Sequence, residues 1–216
     1  KILKYRNLLT LFSEKYNKII SISYCLSADI LNSFCINKVT KISSMRANIF
    51  DNYFYSFGIS GYVIAYIHYL FLKNFNLIIA MNKEMAAQVK RFYCGKVVII
   101  NNFIDEDYLQ KYKGKLNKTI KINNQKKIIY IGSLTKRKNP MLLVESVRNL
   151  VRENYNLRLN IIGDGPLYKD LDSYIRRYSL QKYIKLHGFI RNPYQIMSNH
   201  DIMILPSHSE GFSRAV

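Results

Sequence analysis

Leu157-Arg158-Leu159-Asn160-Ile161-Ile162-Gly163-Asp164-Gly165-Pro166 is the stretch on which the fold turns. A run rich in branched apolar residues stops at a glycine, and a proline suited to the first turn of a helix follows. The same grammar appears upstream, where Lys127 to Ile131 reads as a strand ending at Gly132. Asn139 there suits an N-cap and Pro140 a first helical position, with Leu143, Val144, Val147, Leu150 and Val151 at helical spacing. Downstream, a strand over Tyr183 to His187 ends at Gly188. A short helix spans about 193–198, and a strand over Asp201 to Leu205 runs into Pro206-Ser207-His208-Ser209-Glu210-Gly211. Pro166 opens a further helix reaching about Tyr178. Alternation of this kind predicts an α/β fold with a parallel sheet covered by helices.

A first, less regular series precedes it. Strands are expected over 19–23, 39–43, 77–80 and 97–101, with helices over 28–34, 61–72 and 83–92. The polar stretch from Lys111 to Lys127, rich in Lys and Asn and without apolar periodicity, is the linker candidate. The expected organisation is a domain over 1–112, a linker over 113–126 and a second domain over 127–216. The chain opens at Lys1 without Met and stops at Val216 directly after a turn-rich stretch, so both ends are expected to be cut from something longer.

With 49% hydrophobic residues and few Gly or Pro, the 216 residues can fill a packed core, which excludes a disordered chain. The formal net charge of +19 suits acidic partners: nucleic acid, nucleotide phosphates or an anionic membrane surface. Compositional drift toward Lys, Asn, Ile and Tyr is the competing explanation. No nucleic-acid-binding module pattern is present, so no nucleic-acid partner is expected. Cys25, Cys35 and Cys94 form no CxxC pair and leave an odd one over, which fits reduced thiols in the cytoplasm, each read as a small buried hydrophobe. The apolar stretch Ile59 to Ala80 is broken by Gly61, His68, Lys73, Asn74 and Asn76 and falls short of the roughly 20 apolar residues of a span. Neither a transmembrane helix nor a signal peptide is read.

In an open parallel sheet, ligands sit beyond the carboxyl ends of the strands. Gly132, Gly163, Gly165, Gly188 and Gly211 all fall there, where glycine lets backbone approach a ligand and helix N-termini favour phosphate. Tight βα turns are the bland alternative. Lys136-Arg137-Lys138 lies just before the helix at Asn139, a place where cations are electrostatically poor unless an anion joins them; a diphosphate would, and a solvated loop is the alternative. Glu210, between Pro206-Ser207 and Gly211-Phe212, places a carboxylate where it can accept from sugar hydroxyls or stabilise positive charge on a sugar ring, or serve only as a helix N-terminal acid. His68, His187, His200 and His208 have no metal spacing and are read as structural, with His208 near enough to Glu210 in sequence to touch a ligand.

On these residues the sequence resembles glycosyltransferase family 4. The matching pieces are Ile131-Gly132-Ser133-Leu134 with Lys138-Asn139-Pro140, Ile161 to Pro166, Leu186-His187-Gly188-Phe189, and Leu205-Pro206-Ser207 leading to Glu210-Gly211-Phe212. Asn101 to Asp105 is similar to the family's turn at the end of its N-terminal domain. The resemblance implies the GT-B fold, two Rossmann-like domains with parallel sheets facing a cleft, with the acceptor side in residues 1–112 and the nucleotide-sugar side in 127–216.

It further implies that Lys138 contacts the donor diphosphate, with Gly132, Ser133 and Arg137 nearby. Gly163, Asp164, Gly165, Pro166, Gly188, Phe189 and Ile190 would line the nucleobase pocket. Glu210 would be the first glutamate of a paired-glutamate motif, contacting the donor sugar beside the backbone of Gly211, Phe212 and Ser213. The implied reaction is anomerically retaining and needs no metal or other cofactor; UDP is the default donor nucleotide. Ser133 departs from the family's Arg, Ser43-Ser44-Met45-Arg46 leaves the acceptor-side histidine unassigned, and the second glutamate falls beyond Val216. The chain is therefore expected to hold an incomplete site.

The stretch from Ile42 to Tyr69, with Arg46 and Asn48 as acceptor-side candidates, is most similar to bacterial enzymes that build O-antigen or capsule units on a lipid carrier. That implies a lipid-linked or saccharide acceptor and a cytoplasmic protein held peripherally on the anionic inner face of the plasma membrane, at about 1 kcal/mol per cation. Two other readings stay open: a non-catalytic membrane- or polyanion-binding protein on the same fold, and a sugar-nucleotide epimerase or phosphorylase.

Overall fold

In the computed structural model, which describes residues 2–35, 38–103 and 125–210, the alternation becomes two separate parallel sheets. The described residues form two compact units, one up to Asn102 and one from Phe103 to His208, with Ser209 and Glu210 outside the second.

The first unit runs α1 (Ile2–Lys15), β1 (Ile19–Ser23), α2 (Leu26–Ser33), β2 (Val39–Ser44), α3 (Ile49–Phe57), α4 (Ser60–Leu72), β3 (Leu77–Ala80), α5 (Lys83–Lys90) and β4 (Lys96–Ile99), with the strands side by side in that order. Two helices went unread in the sequence. α1 buries only Leu9, so it lacks the apolar stripe that periodicity detects. α3 is announced by a polar cap: Asn48 Oδ1 accepts the Asp51 N–H at 3.2 Å. The core gathers Tyr69, Leu72, Ile78, Met85 and Val89, all nearly solvent-free.

The second unit runs β5 (Lys126–Ile131), a 3-10 turn (Lys136–Lys138), α6 (Pro140–Arg152), β6 (Leu157–Ile162), α7 (Tyr168–Arg177), β7 (Ile184–Leu186), α8 (Tyr194–Met197) and β8 (Ile202–Met203). Its order is β7-β6-β5-β8, every pair parallel, with Ile128 opposite both Leu159 and Ile202. The chain thus steps outward from β5 to β7 and then returns to the other side of β5. α6 buries Pro140, Leu143, Val144 and Val147, the helical stripe read from the sequence, and α7 buries Leu171 and Ile175. These close on Leu159 and Ile161, which are fully buried. Burying each such side chain contributes about 1.5–3 kcal/mol, and truncating either strand residue to alanine would cost about 2–5 kcal/mol.

Several expectations are corrected. Lys126, placed in the linker, opens β5; residues 113–124 lie outside the described residues. Asn139 stands at the N-cap of α6, but its side chain makes no capping bond. It adopts a left-handed backbone (φ 49°), which asparagine tolerates and which the following Pro140 permits by excluding the right-handed helical region. Of the cysteines only Cys35 is buried; Cys25 and Cys94 are exposed. Among the described residues no helix is long and apolar enough to cross a membrane.

Candidate functional site

The reversal of strand order in the second unit falls between β5 and β8, and at such a switch point the loops leaving two neighbouring strands diverge and leave a crevice. Those loops are Gly132–Asn139, ending at the N-terminus of α6, and Ile204–Glu210. They are tied together: the His208 backbone N–H donates to the Arg137 carbonyl at 2.9 Å. Within the first loop the Lys138 N–H donates to Thr135 O at 3.1 Å, closing the 3-10 turn that carries Lys136, Arg137 and Lys138. Lys136 is exposed, Arg137 and Lys138 half-buried, and Ser133 exposed. The Ser133 carbonyl accepts from the Tyr130 hydroxyl at 2.9 Å, which anchors the loop to the core through a fully buried ring. In the second loop the buried Ser207 Oγ has no hydrogen-bond partner. A buried hydroxyl left unpaired costs about 1–3 kcal/mol.

The other glycine-ended strands pack onto this pair. Leu134 N–H donates to Asp164 O at 2.9 Å, Leu167 N–H to Leu134 O at 3.0 Å, Gly132 N–H to Ile162 O at 3.0 Å and Gly163 N–H to Gly188 O at 2.8 Å. Gly165 N–H is taken by its neighbour's Asp164 Oδ1 at 2.7 Å. The N–H groups of Gly132, Gly163 and Gly165 therefore serve the chain itself. Their missing side chains do likewise. A Cβ on Gly163 (φ 149°) would lie 1.8 Å from the Gly132 carbonyl, and one on Gly165 (φ 155°) 2.6 Å from that of Leu134. Gly188 differs: its φ of 70° lies in the left-handed region that favours glycine, while the space beside it is open. Phe189 next to it is 76% exposed, Ile190 is half-buried, and Asp164 and Pro166 are exposed.

Glu210 is half-buried at the end of the described segment. Gly211, Phe212 and Ser213 lie outside the described residues, as do Ile104 and Asp105 of the interdomain turn.

Two histidines form a ladder beneath the rim. His200 Nδ1 donates to Ile196 O at 2.7 Å, so its Nε2 accepts from Asn160 Nδ2 at 2.6 Å, and Asn160 Oδ1 accepts from His187 Nε2 at 2.7 Å. Burial first, then the charges of Lys185 and His200, lowers the His187 pKa and keeps it neutral. Both rings thus bond within the chain itself.

In the first unit Arg46 is exposed and stacks over the Tyr24 ring at 5.1 Å from its centroid, while Asn48 is occupied in capping α3. The sequence reading did not foresee a buried network beside them. Asp29 takes the Ser23 hydroxyl on Oδ1 and His68 Nε2 on Oδ2 at 2.7 Å; His68 Nδ1 lies 3.0 Å from the Tyr53 hydroxyl. The one hint in the sequence is His68 inside the otherwise apolar α4; Asp29, among Ser27, Asn32 and Ser33 of α2, gives none of its own. Among the described residues no three His, Cys, Asp or Glu side chains group as metal ligands. A polar depression lined by Gln125, Asn154, Asn156 and Lys182 opens at the opposite, amino ends of β5 and β6, away from the helix N-termini.

The family described as Glycosyl transferases group 1 matches residues 113–216, the segment that holds this rim. Residues 113–216 carry a glycosyl transferases group 1 domain. Over the whole chain the protein is 26% identical to an uncharacterized glycosyltransferase of Methanocaldococcus jannaschii, covering 56% of that relative. Over 65% of the chain it is 28% identical to the UDP-Gal:alpha-D-GlcNAc-diphosphoundecaprenol alpha-1,3-galactosyltransferase of Escherichia coli, covering 38% of it. Among solved structures, Anabaena HepE in complex with UDP and glucose is similar over 97% of this chain and 58% of its own, with a TM-score of 0.71 at 16% identity. The chain thus spans about half the length of the relatives it matches. The group 1 domain and the parallel unit preceding it have the GT-B fold.

Proposed function

We propose that the chain belongs to a retaining glycosyltransferase of family 4 type. It moves a hexosyl group from a nucleotide sugar, with UDP as the nucleotide, to a lipid-linked or saccharide acceptor in bacterial surface polysaccharide assembly. The observation that carries this reading is the hydrogen bond from His208 to Arg137, which holds the Lys138 turn and the loop leading to Glu210 together at the switch point. In the reaction the bond from sugar C1 to the diphosphate breaks and a bond from C1 to the acceptor oxygen forms on the same face. The acceptor's proton passes to a diphosphate oxygen.

Lys138 and the N-terminus of α6 receive the charge that develops on the diphosphate, the role a metal ion plays elsewhere. The open surface beside Gly188, with Phe189 and Ile190, takes the base, and Glu210 takes the sugar. The UDP donor draws support from the E. coli relative's name and from HepE, crystallised with UDP. The diphosphoundecaprenol in the former name, with the net charge of +19, supports a lipid-linked acceptor at an anionic membrane surface.

Calorimetric titration of UDP, GDP and ADP into the full-length protein tests this. One nucleotide is expected to bind selectively, with binding lost in Lys138→Ala. Glu210→Gln is expected to keep that binding and lose transfer by about 10²–10³-fold. Binding of none of the three would end the donor-site assignment.

A further inference from the structure

From Ile128 to Ile131, β5 is apolar except at Tyr130, whose side chain is fully buried. Packing alone asks for no hydroxyl there. Phenylalanine would fill nearly the same volume, and a hydroxyl withdrawn from water is costly unless it is bonded. The Tyr130 hydroxyl donates to the Ser133 carbonyl at 2.9 Å, past the carboxyl end of its own strand. On the way it occupies the room beside Gly132. A Cβ there would lie 3.1 Å from Tyr130 Oη and 3.3 Å from its Cζ, so the missing side chain of Gly132 is what lets the ring's tip reach the loop.

The Ser133 carbonyl is also where the following turn begins. It accepts the Thr135 N–H at 3.0 Å, and the Thr135 carbonyl in turn accepts the N–H groups of Lys138 and Asn139, each at 3.1 Å. The other end of the same peptide unit, the Leu134 N–H, donates to Asp164 O at 2.9 Å. The peptide joining Ser133 to Leu134 is thus held at both ends, one of them by the core. Hydrogen bonds lead without a break from the buried ring, through Ser133 and Thr135, to the backbone of Lys138. The carbonyl of Gly188 bonds instead to the Gly163 N–H, outside this path.

We propose that Tyr130 is a positioning residue for the donor's diphosphate. Its hydroxyl fixes the peptide from which the 3-10 turn sets Lys138, and it has no part in holding the base. The inference rests on the transferase reading above. It gives a core side chain with no exposed surface, which touches no substrate, an effect confined to one portion of the ligand.

The test uses full-length protein and two ligands titrated into the same samples: UDP, and uridine, which keeps base and ribose but lacks the diphosphate. Tyr130→Phe keeps the ring and removes only the hydroxyl. It is expected to weaken UDP about five-fold, the loss of roughly one hydrogen bond, and to leave uridine affinity unchanged. Gly132→Ala, whose Cβ presses on the hydroxyl, is expected to produce the same split by a different route, and it decides the matter if Tyr130→Phe does not fold. A merely structural hydroxyl would lower the thermal midpoint and move both ligands alike or neither. Unchanged UDP affinity in the folded variants, or an equal loss for UDP and uridine, overturns the proposal while sparing the donor site. Absence of UDP binding by the wild type overturns the transferase reading and this inference with it.

Discussion

The backbone N–H of His208 reaches the carbonyl of Arg137 at 2.9 Å, although the two residues belong to loops leaving different strands. The bond uses no side-chain atom of His208, so the side chain's identity is incidental to it. His208→Ala should leave UDP affinity unchanged, whereas His208→Pro, which lacks the N–H, should weaken UDP about five-fold. Equal affinities in a parallel titration would show that the two loops need no such tie.

Gly163 and Gly188 share a bond yet predict different costs. Alanine at 163 would press a Cβ to 1.8 Å from the Gly132 carbonyl, a backbone atom that cannot swing away, at a φ of 149°. Gly163→Ala should destabilise the protein by about 2–5 kcal/mol, summing overpacking and backbone strain. At Gly188 only the positive φ opposes a side chain, and asparagine accepts it. Gly188→Asn should cost less than about 1 kcal/mol in urea unfolding.

His187 fixes a pH dependence. Its folded pKa lies below the unfolded value, so between the two the unfolded state binds more protons. Stability is full above the unfolded value of about 6.5 and falls as pH drops through it. Thermal midpoints measured at neutral and mildly acidic pH should diverge more in wild type than in His187→Gln. Equal divergence would remove His187 as the source.

The cysteines should separate by reactivity. Cys25 is exposed at the start of α2, and the Ser27 hydroxyl first, then the Ala28 N–H, lowers its pKa; burial raises that of Cys35. Iodoacetamide at neutral pH should label Cys25 fastest and Cys35 only on unfolding. Labelling read by mass spectrometry that marks Cys35 first would contradict the buried placement.

The second unit was the more legible half because its strands and helices keep one period each. Leu143, Val144 and Val147 repeat as a helix face, and every expected strand from Lys127 to Leu205 has its counterpart. The site's glycines were legible as positions, but not the atoms they meet. A sequence shows that Gly163 lacks a Cβ, but the atom that would meet one, the Gly132 carbonyl, belongs to another strand. The first unit hid more. α1 buries one residue, and the polar face of β1 and β2 reads as strand without saying that Asp29 and His68, distant in sequence, meet at 2.7 Å. Such pairs are set by tertiary packing and have no local signature.

The strand order β7-β6-β5-β8 has a consequence for synthesis. β5, β6 and β7 are neighbours in sequence and in space, so they can pair as soon as each leaves the ribosome. β8 must instead come back across the finished hairpin-free stack to reach Ile128 and Ile129. Both walls of the crevice therefore exist only after Ile202 and Met203 have docked. A nascent chain carries the Lys138 turn for some seventy residues before its partner loop arrives, so the joined pair of loops is among the last features this unit acquires.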